Sequence, residues 1–345
     1  MRIARRLRAA AAAHDAPLHR VGLRAVHLQR RHWHLADAAA LGLLDPVHGP
    51  PLERAAVRPG ELTHLQEILN PPEAVASAED KRRSAEICAR AGLPTPAQAA
   101  VLERRADHPT TVRAWADALE REAPVETVIK PTEGHRGLGV RVLHRDPAGL
   151  TDHAGTTLSW ADLAQELASE RWRAFIVQER LHPHAALREM SGQDVLQTLR
   201  VVSLRDEAGS VRVLFTLLRI AVGATAVDSF RSGATRNAVA VVSGEGVTTE
   251  TYRVARSGFG LEPMPLHPVT GRPTIGFEVP DWDEVRALVT RAAAAFAPLR
   301  TVGWDIAPTD AGPVLVEANA WWASKMILSG DLPKRAKDKA CLPII

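Results

Sequence analysis

The stretch Val302-Gly303-Trp304-Asp305-Ile306, followed a few residues later by Val314-Leu315-Val316-Glu317-Ala318-Asn319, decides the fold of this chain. Both runs are apolar enough for buried strands, and the segment from Pro308 to Pro313 reads as the turn of a hairpin. Residues two apart in a strand share a face, so Glu317 and Asn319 point the same way. A hairpin centred on Ala311 sets Asp305 directly opposite Glu317. Two carboxylates and a carboxamide then meet as hard oxygen ligands, a set that suits Mg²⁺ rather than zinc. Paired acids among apolar neighbours repel strongly unless a cation or a proton sits between them. Asp305, Glu317 and Asn319 are the candidate metal ligands; without a metal the same pattern is an ordinary polar hairpin face.

Upstream, Thr127-Val128-Ile129-Lys130-Pro131 reads as a strand that ends in a lysine. It runs into Thr132-Glu133-Gly134-His135-Arg136-Gly137-Leu138-Gly139 and then into the strand-like Val140-Arg141-Val142-Leu143. Three glycines let backbone N–H groups crowd around an anion, and Lys130 adds a point charge for phosphate. A dinucleotide-binding βαβ unit is excluded, because a strand rather than a helix follows the last glycine. A P-loop is excluded as well, since no Gly-Lys-Ser/Thr ending is present.

These two segments, in this order and about 175 residues apart, resemble the ATP-grasp enzymes. Asp80-Lys81-Arg82-Arg83-Ser84, running on to Ala91-Gly92-Leu93-Pro94-Thr95-Pro96, is similar to the family's lysine-bearing helix and its exit. Phe175-Ile176-Val177-Gln178-Glu179-Arg180-Leu181 is similar to the strand and linker that hold adenine. Thr198-Leu199-Arg200-Val201-Val202 is similar to the strand with a phosphate-facing arginine, and Val227-Asp228-Ser229-Phe230-Arg231-Ser232-Gly233 to the loop ahead of the metal hairpin. The branch it most resembles is the sugar-transfer-associated one, related to glutamate ligases and D-alanine–D-alanine ligases, over residues 75 to 325.

The resemblance implies an α+β ATP-grasp fold, with two α/β lobes gripping ATP and a mainly helical N-terminal region ahead of them. It implies a helical region at 1–75, a lysine-bearing helix and connection at 76–123, and a small lid at 124–182. A larger unit with the metal hairpin follows at 183–330, and a tail at 331–345. Lys81 and Lys130 are implied to hold phosphates, with Thr132, Glu133, Gly134, Gly137 and Gly139 in the loop and Gln178, Glu179 and Leu181 at the base. Arg200, Arg219 and Arg231 are spaced to bring guanidinium groups from separate elements to an anionic acceptor, for which their planar fork suits. The implied activity is an ATP- and Mg²⁺-dependent carboxylate–amine ligase that forms an acyl phosphate and releases ADP and phosphate. A kinase acting on a hydroxyl, or a quiet accessory protein of polysaccharide or natural-product assembly, is the alternative.

Composition agrees with an enzyme of small substrates. At 345 residues, 46% hydrophobic and 24% charged, the chain has enough apolar residues for two or three subdomains. A net charge of +3 predicts no overall nucleic-acid footprint. Two cysteines, Cys88 and Cys341, are too few for a disulfide framework or a zinc site and suit a reducing cytoplasm. Ala9 to Ala13 is too short and ends too soon at His14-Asp15 for a signal peptide, and no window approaches the roughly 18 apolar residues of a membrane span. The basic start reads as a solvated helix packed on the core, with contact to a membrane or partner as the other reading.

Helical spacing marks Thr111 to Glu122, with Trp115 and Leu119 on one face, and Asp281 to Ala297, with Trp282, Val285, Leu288, Val289 and Ala292 on one face. Ser159-Trp160-Ala161-Asp162 predicts a capping box for a helix ending near Ser169. Residues 195 to 242 read as antiparallel strands. Prolines 46, 50, 51, 59, 71 and 72 break the region before Lys81.

Overall fold

The computed structural model describes residues 2–323 apart from 106, 135–136, 147–148, 154, 224–229 and 231–232. Arg231, Cys341 and the charged tail lie outside the described residues.

The chain opens with helices: α1 (Arg2–Ala13), α2 (Leu18–Arg30), α3 (Leu35–Ala40), α4 (Gly49–Ala55), α5 (Pro59–Leu69), α6 (Pro72–Glu79) and α7 (Lys81–Arg90). The prolines act as starts as much as stops. Pro59 and Pro72 each open a helix, where a missing N–H costs nothing and the fixed φ is already helical. Asp80 caps α7 by accepting from the Arg82 N–H, which puts Lys81 at the first helical position.

A six-stranded sheet follows. It is formed by β1 (Gln98–Glu103), β2 (Glu126–Pro131), β3 (Arg141–Asp146), β4 (Gly149–Asp152), β5 (Thr157–Leu158) and β6 (Ala174–Glu179), in the order β1-β6-β2-β3-β4-β5. Helices α8 (His108–Glu122) and α9 (Trp160–Ser169) cover it. Trp115 of α8 stacks edge-on against Phe175 of β6 at 5.7 Å, a contact that adds about 1 kcal/mol to the burial of both rings. The predicted capping box of α9 is present, Ser159 and Asp162 satisfying each other's backbone N–H groups.

The second sheet has seven strands. After α10 (Ala185–Ser191) come β7 (Leu199–Arg205), β8 (Val211–Ile220), β9 (Ala238–Val242), β10 (Thr248–Val254) and β11 (Leu261–Pro263). Helix α11 (Trp282–Ala295) then leads into β12 (Thr301–Thr309) and β13 (Gly312–Asn319). The order is β11-β10-β9-β8-β7-β12-β13, with antiparallel pairing throughout both sheets. Helix α11 packs Val285, Leu288, Val289 and Ala292 onto this sheet, as its periodicity predicts, with Trp282 of the same row only partly buried. Each such aliphatic side chain contributes roughly 1.5–3 kcal/mol on burial. The α+β architecture with a helical N-terminal region is the one expected. Strands β4, β5, β10 and β11 are short or largely polar and carried no readable signal, and the Ala-Ala-Val-Leu run of β1 fits helix as well as strand.

Candidate functional site

Strand β12 lies between β7 and β13 and is buried along its whole length, so its two faces are both covered. Strand β13 is an edge. Its Leu315 N–H donates to the Pro94 carbonyl at 2.8 Å, so the segment after α7 covers that edge.

The hairpin turns more tightly than expected. Pro308 and Pro313 pair with each other inside the ladder, and the loop is only Asp310 and Ala311 between the paired Thr309 and Gly312. Such a turn alone would set Asp305 opposite Val316. A bulge between Asp305 and Ile306 absorbs one residue of β13, and Asp305 falls opposite Glu317 after all. The bulge re-aims Glu317 by shifting the side-chain alternation by one, a device common beside functional sites.

Cross-strand partners share a face. Asp305 pairs with Glu317 on one side and with Arg200 on the other, and Arg200 pairs with Leu217 of β8. Arg219 lies two residues beyond Leu217, so one sheet face carries Glu317, Asp305, Arg200 and Arg219. Arg200 Nε donates to Asp305 Oδ1 at 2.6 Å and its Nη2 to Oδ2 at 3.1 Å. Arg219 Nη2 donates to Oδ1 at 3.0 Å, its Nη1 to Oδ2 at 3.2 Å, and Nη1 also to Thr198 Oγ1 at 2.8 Å. Burial pushes the Asp305 carboxyl up, but the two guanidinium groups outweigh it and hold it below the ordinary 3.8. The two arginines expected to aim into the cleft are thus forked onto Asp305.

Glu317 is neutralised from elsewhere. Lys81 Nζ lies 3.0 Å from Glu317 Oε1 and donates to the Gly134 carbonyl at 2.9 Å. One ammonium therefore ties the glycine loop of the first sheet to the hairpin of the second. Lys130 lines the same cleft. Burial is the main reason its pKa drops from 10.5 to about 8; the Lys81 charge lowers it further, while Glu317 and Asp305 oppose the drop. Lys130 and Gln178 share a face of the first sheet, because Val128 pairs with Gln178. The cleft is open to solvent, with Lys81, Lys130, Gln98, Gln178 and Glu317 among its lining.

The other expected residues sit around this centre. Thr132 is buried and donates its N–H to the Ala174 carbonyl at 3.0 Å, fixing the start of the loop. Glu133 is exposed. Gly137 and Gly139 have φ of 66° and 73°, and a Cβ on Gly139 would stand 2.8 Å from both Pro131 Cγ and Trp172 Nε1, so only glycine fits there. Glu179 accepts from the Ala97 N–H at 2.7 Å, and Leu181 is half-buried; neither lines the cleft. Asn319 donates Nδ2 to the Gly303 carbonyl at 3.2 Å, which leaves Oδ1 as the acceptor of that carboxamide.

The donor set fits a divalent cation in kind, two carboxylates in register and one amide oxygen, all hard, but each Asp305 oxygen accepts from both arginines and would have to give up one of them to bind it. Lys81, Lys130, Arg200 and Arg219 against Asp305 and Glu317 also sum to two positive charges, which suits a polyphosphate with its own metal.

Three positioning residues escaped the sequence. Asn70 is buried where α5 ends; its Nδ2 donates to the Thr301 carbonyl at 2.8 Å and to the Ala320 carbonyl at 3.3 Å, and its Oδ1 accepts from Arg300 N and Thr301 N at 3.0 Å each. Gln66 Nε2 donates to the Trp322 carbonyl at 2.7 Å. Glu79 accepts from Ala320 N at 2.8 Å and Trp321 N at 3.1 Å. Together they pin the open end of the β12–β13 hairpin to the N-terminal helices. A signal existed: Gln66 and Asn70 continue the inward row of Leu62 and Leu69 on α5, and a polar residue on an apolar face needs a partner. Trp322 packs edge-on against Phe215 at 5.7 Å, whereas Trp321 is exposed.

The family model described as sugar-transfer associated ATP-grasp matches residues 62–331. No curated protein is similar enough in sequence to match. Similar solved structures include the ADP complex of N5-carboxyaminoimidazole ribonucleotide synthetase, at 14% identity over 72% of this chain and 46% of that one, with a TM-score of 0.41. D-alanyl-alanine synthetase A from Vibrio cholerae O1 biovar eltor is 10% identical over 77% and 62%, with a TM-score of 0.42. The ATP-grasp ligase PsnB complexed with minimal precursor is 18% identical over 83% and 68%, with a TM-score of 0.39. The chain spans less than two thirds of the first two of these.

Proposed function

This chain belongs to the sugar-transfer-associated ATP-grasp family, and from that premise we propose that it is an ATP- and Mg²⁺-dependent ligase joining a carboxylate to an amine or another nucleophile. The observation that supports this most is the meeting of Lys81, Lys130 and Glu317 at one cleft, with Lys81 3.0 Å from Glu317 and 2.9 Å from the Gly134 carbonyl. Two lysines beside an in-register acid pair make a cradle for a metal-bound polyphosphate. Lys81 and Lys130 hold phosphates from the two sides of the cleft, and the glycine loop beyond Thr132 offers its backbone to them. Gln178, which lines the cleft, takes the base, whereas Glu179 and Leu181 stand outside it. Asp305, Glu317 and Asn319 would hold Mg²⁺, which would supply charge neutralisation to the phosphates.

The chemistry assigned to the chain is positioning and charge compensation. A carboxylate oxygen of the acid takes the γ-phosphoryl group as its bond to ADP breaks. The nucleophile then attacks the acyl carbon, loses its proton, and expels phosphate. Arg200, Arg219 and Arg231 steady the acid and then the oxyanion, and the fork of Arg200 and Arg219 on Asp305 holds both guanidinium groups on the sheet face that carries Glu317. Residues 124–182 act as the lid and 183–330 as the larger grip, in a cytoplasmic protein working on small molecules.

Hydroxylamine added with ATP, Mg²⁺ and a panel of amino acids and sugar acids tests the reading. A hydroxamate formed with ADP and free phosphate is the expected result. ADP with a stable phosphoester and no free phosphate would replace the ligase with a kinase.

A further inference from the structure

The positive balance of this protein is confined to one end. Residues 1–34 hold eight arginines and a single acid, Asp15, whereas residues 35–345 hold 35 lysines and arginines against 39 acids. Glu53 answers two of the eight, lying 2.6 Å from Arg24 and 3.5 Å from Arg31. Among the described residues no ion pair engages Arg5, Arg6, Arg8, Arg20 or Arg30, and all five are exposed.

Aliphatic side chains stand among these arginines. Four of the twelve large apolar residues exposed among the described residues lie here: Ile3 at 60%, Leu18 at 46%, Leu23 at 70% and Val26 at 46%. Helix geometry puts Leu23 and Val26 on the outer face, whereas Ile3 and Leu18 stand at the helix starts in the rows of Leu7 and Ala10 and of Val21 and Ala25. Helix α2 buries Val21, Ala25 and Leu28, so the opposite row of His19, Leu23, Val26 and Arg30 faces outward. Helix α1 packs Leu7, Ala10 and Ala11 inward and turns Arg5, Arg8, Ala9 and Ala12 out. A solvated helix face has no need of Leu23 and Val26 in its centre.

We propose that the outer face of α1 and α2 docks on an anionic lipid bilayer. Arginines meet the headgroups, while Leu23 and Val26 enter the boundary between headgroups and acyl chains. The helices lie on the surface rather than cross it, since no described helix is long and apolar enough to span a bilayer. A nucleic-acid backbone would use the same charges but give the aliphatic row nothing to contact. The site chemistry is independent of this face.

Sedimentation of the full chain with vesicles provides the test. About tenfold more protein should pellet with equal parts phosphatidylglycerol and phosphatidylcholine than with phosphatidylcholine alone. Arg5→Glu with Arg8→Glu should abolish that excess, and Leu23→Ser with Val26→Ser should cut it severalfold. All four positions are exposed, and unchanged melting temperatures would confirm that the variants fold. Equal sedimentation with both vesicle types would overturn the proposal. So would binding to heparin or duplex DNA that matches vesicle binding and is untouched by the Leu23 and Val26 changes.

Discussion

Strands β12 and β13 turn within two residues, and their open end is fastened from outside by Gln66, Asn70 and Glu79. Strands β2 and β3, by contrast, are joined by residues 132–140, whose inner end is fixed mainly through the backbone of Thr132 and by Lys81 on the Gly134 carbonyl. Both hairpins border one cleft, yet one presents side-chain charge from a ladder with every neighbour fixed, and the other presents backbone through glycines. The difference follows from what each has to hold. Acid oxygens for a cation need fixed separations, whereas an anion is met by N–H groups wherever the backbone can curve.

The largest expected effect comes from removing charge on the fixed hairpin. Glu317→Gln should lower ADP release by on the order of 10³-fold. Its cost to stability should stay within about 1 kcal/mol, because Glu317 is partly exposed and, among the described residues, its ion pair is with Lys81. Removing it does not relieve acid repulsion, as a bare carboxylate pair would suggest, since Asp305 is already neutralised by its two arginines. Near-normal turnover would remove Glu317 from the phosphate machinery.

Next is the fork. Arg200→Lys keeps the charge but loses the two-pronged bond to Asp305, and kcat should fall by about 10²-fold with ATP affinity changed little. Equal losses in ATP binding and kcat would make Arg200 a nucleotide residue instead of one for the acceptor.

Asn70→Ala separates bracing from chemistry. It strips four bonds from buried backbone groups, and urea titration should show a loss of about 3 kcal/mol. Below the melting point kcat should drop while the ATP affinity set by the glycine hairpin persists. A loss under about 1 kcal/mol would make the brace idle.

The smallest effect is a pH dependence on the lysine side. A lysine whose folded pKa is depressed resists protonation in the fold, so the stability cost is fully present below about 8 and fades as pH rises toward 10.5. ATP binding to the free protein needs the ammonium and should weaken a few-fold as pH rises through about 8. Lys130→Arg should bind with no such slope, and a sloping variant would assign the titration to another group.

Much of this was legible because strand alternation and glycine placement are local. Spacing alone put Asp305 opposite Glu317, marked Trp115 and Leu119 as one helix face, and found the Ser159 capping box. The turn was misjudged in size, and the pairing survived only because a bulge restored the register, which no pattern in Val314 to Asn319 announces. Arg200 and Arg219 were recognised as site residues, but not their common target. Arg231 lies outside the described residues.

The order of elements, the inward faces of α8, α9 and α11, and the identity of the charged side chains were set by the sequence, because periods of two and 3.6 act over a few residues. Only the tertiary structure decided which charges meet. Asn70 reaches Thr301 and Ala320, and Lys81 reaches Glu317, across more than 200 residues of chain. Such contacts depend on how two sheets and a helical segment pack as solid bodies, and no local periodicity records that.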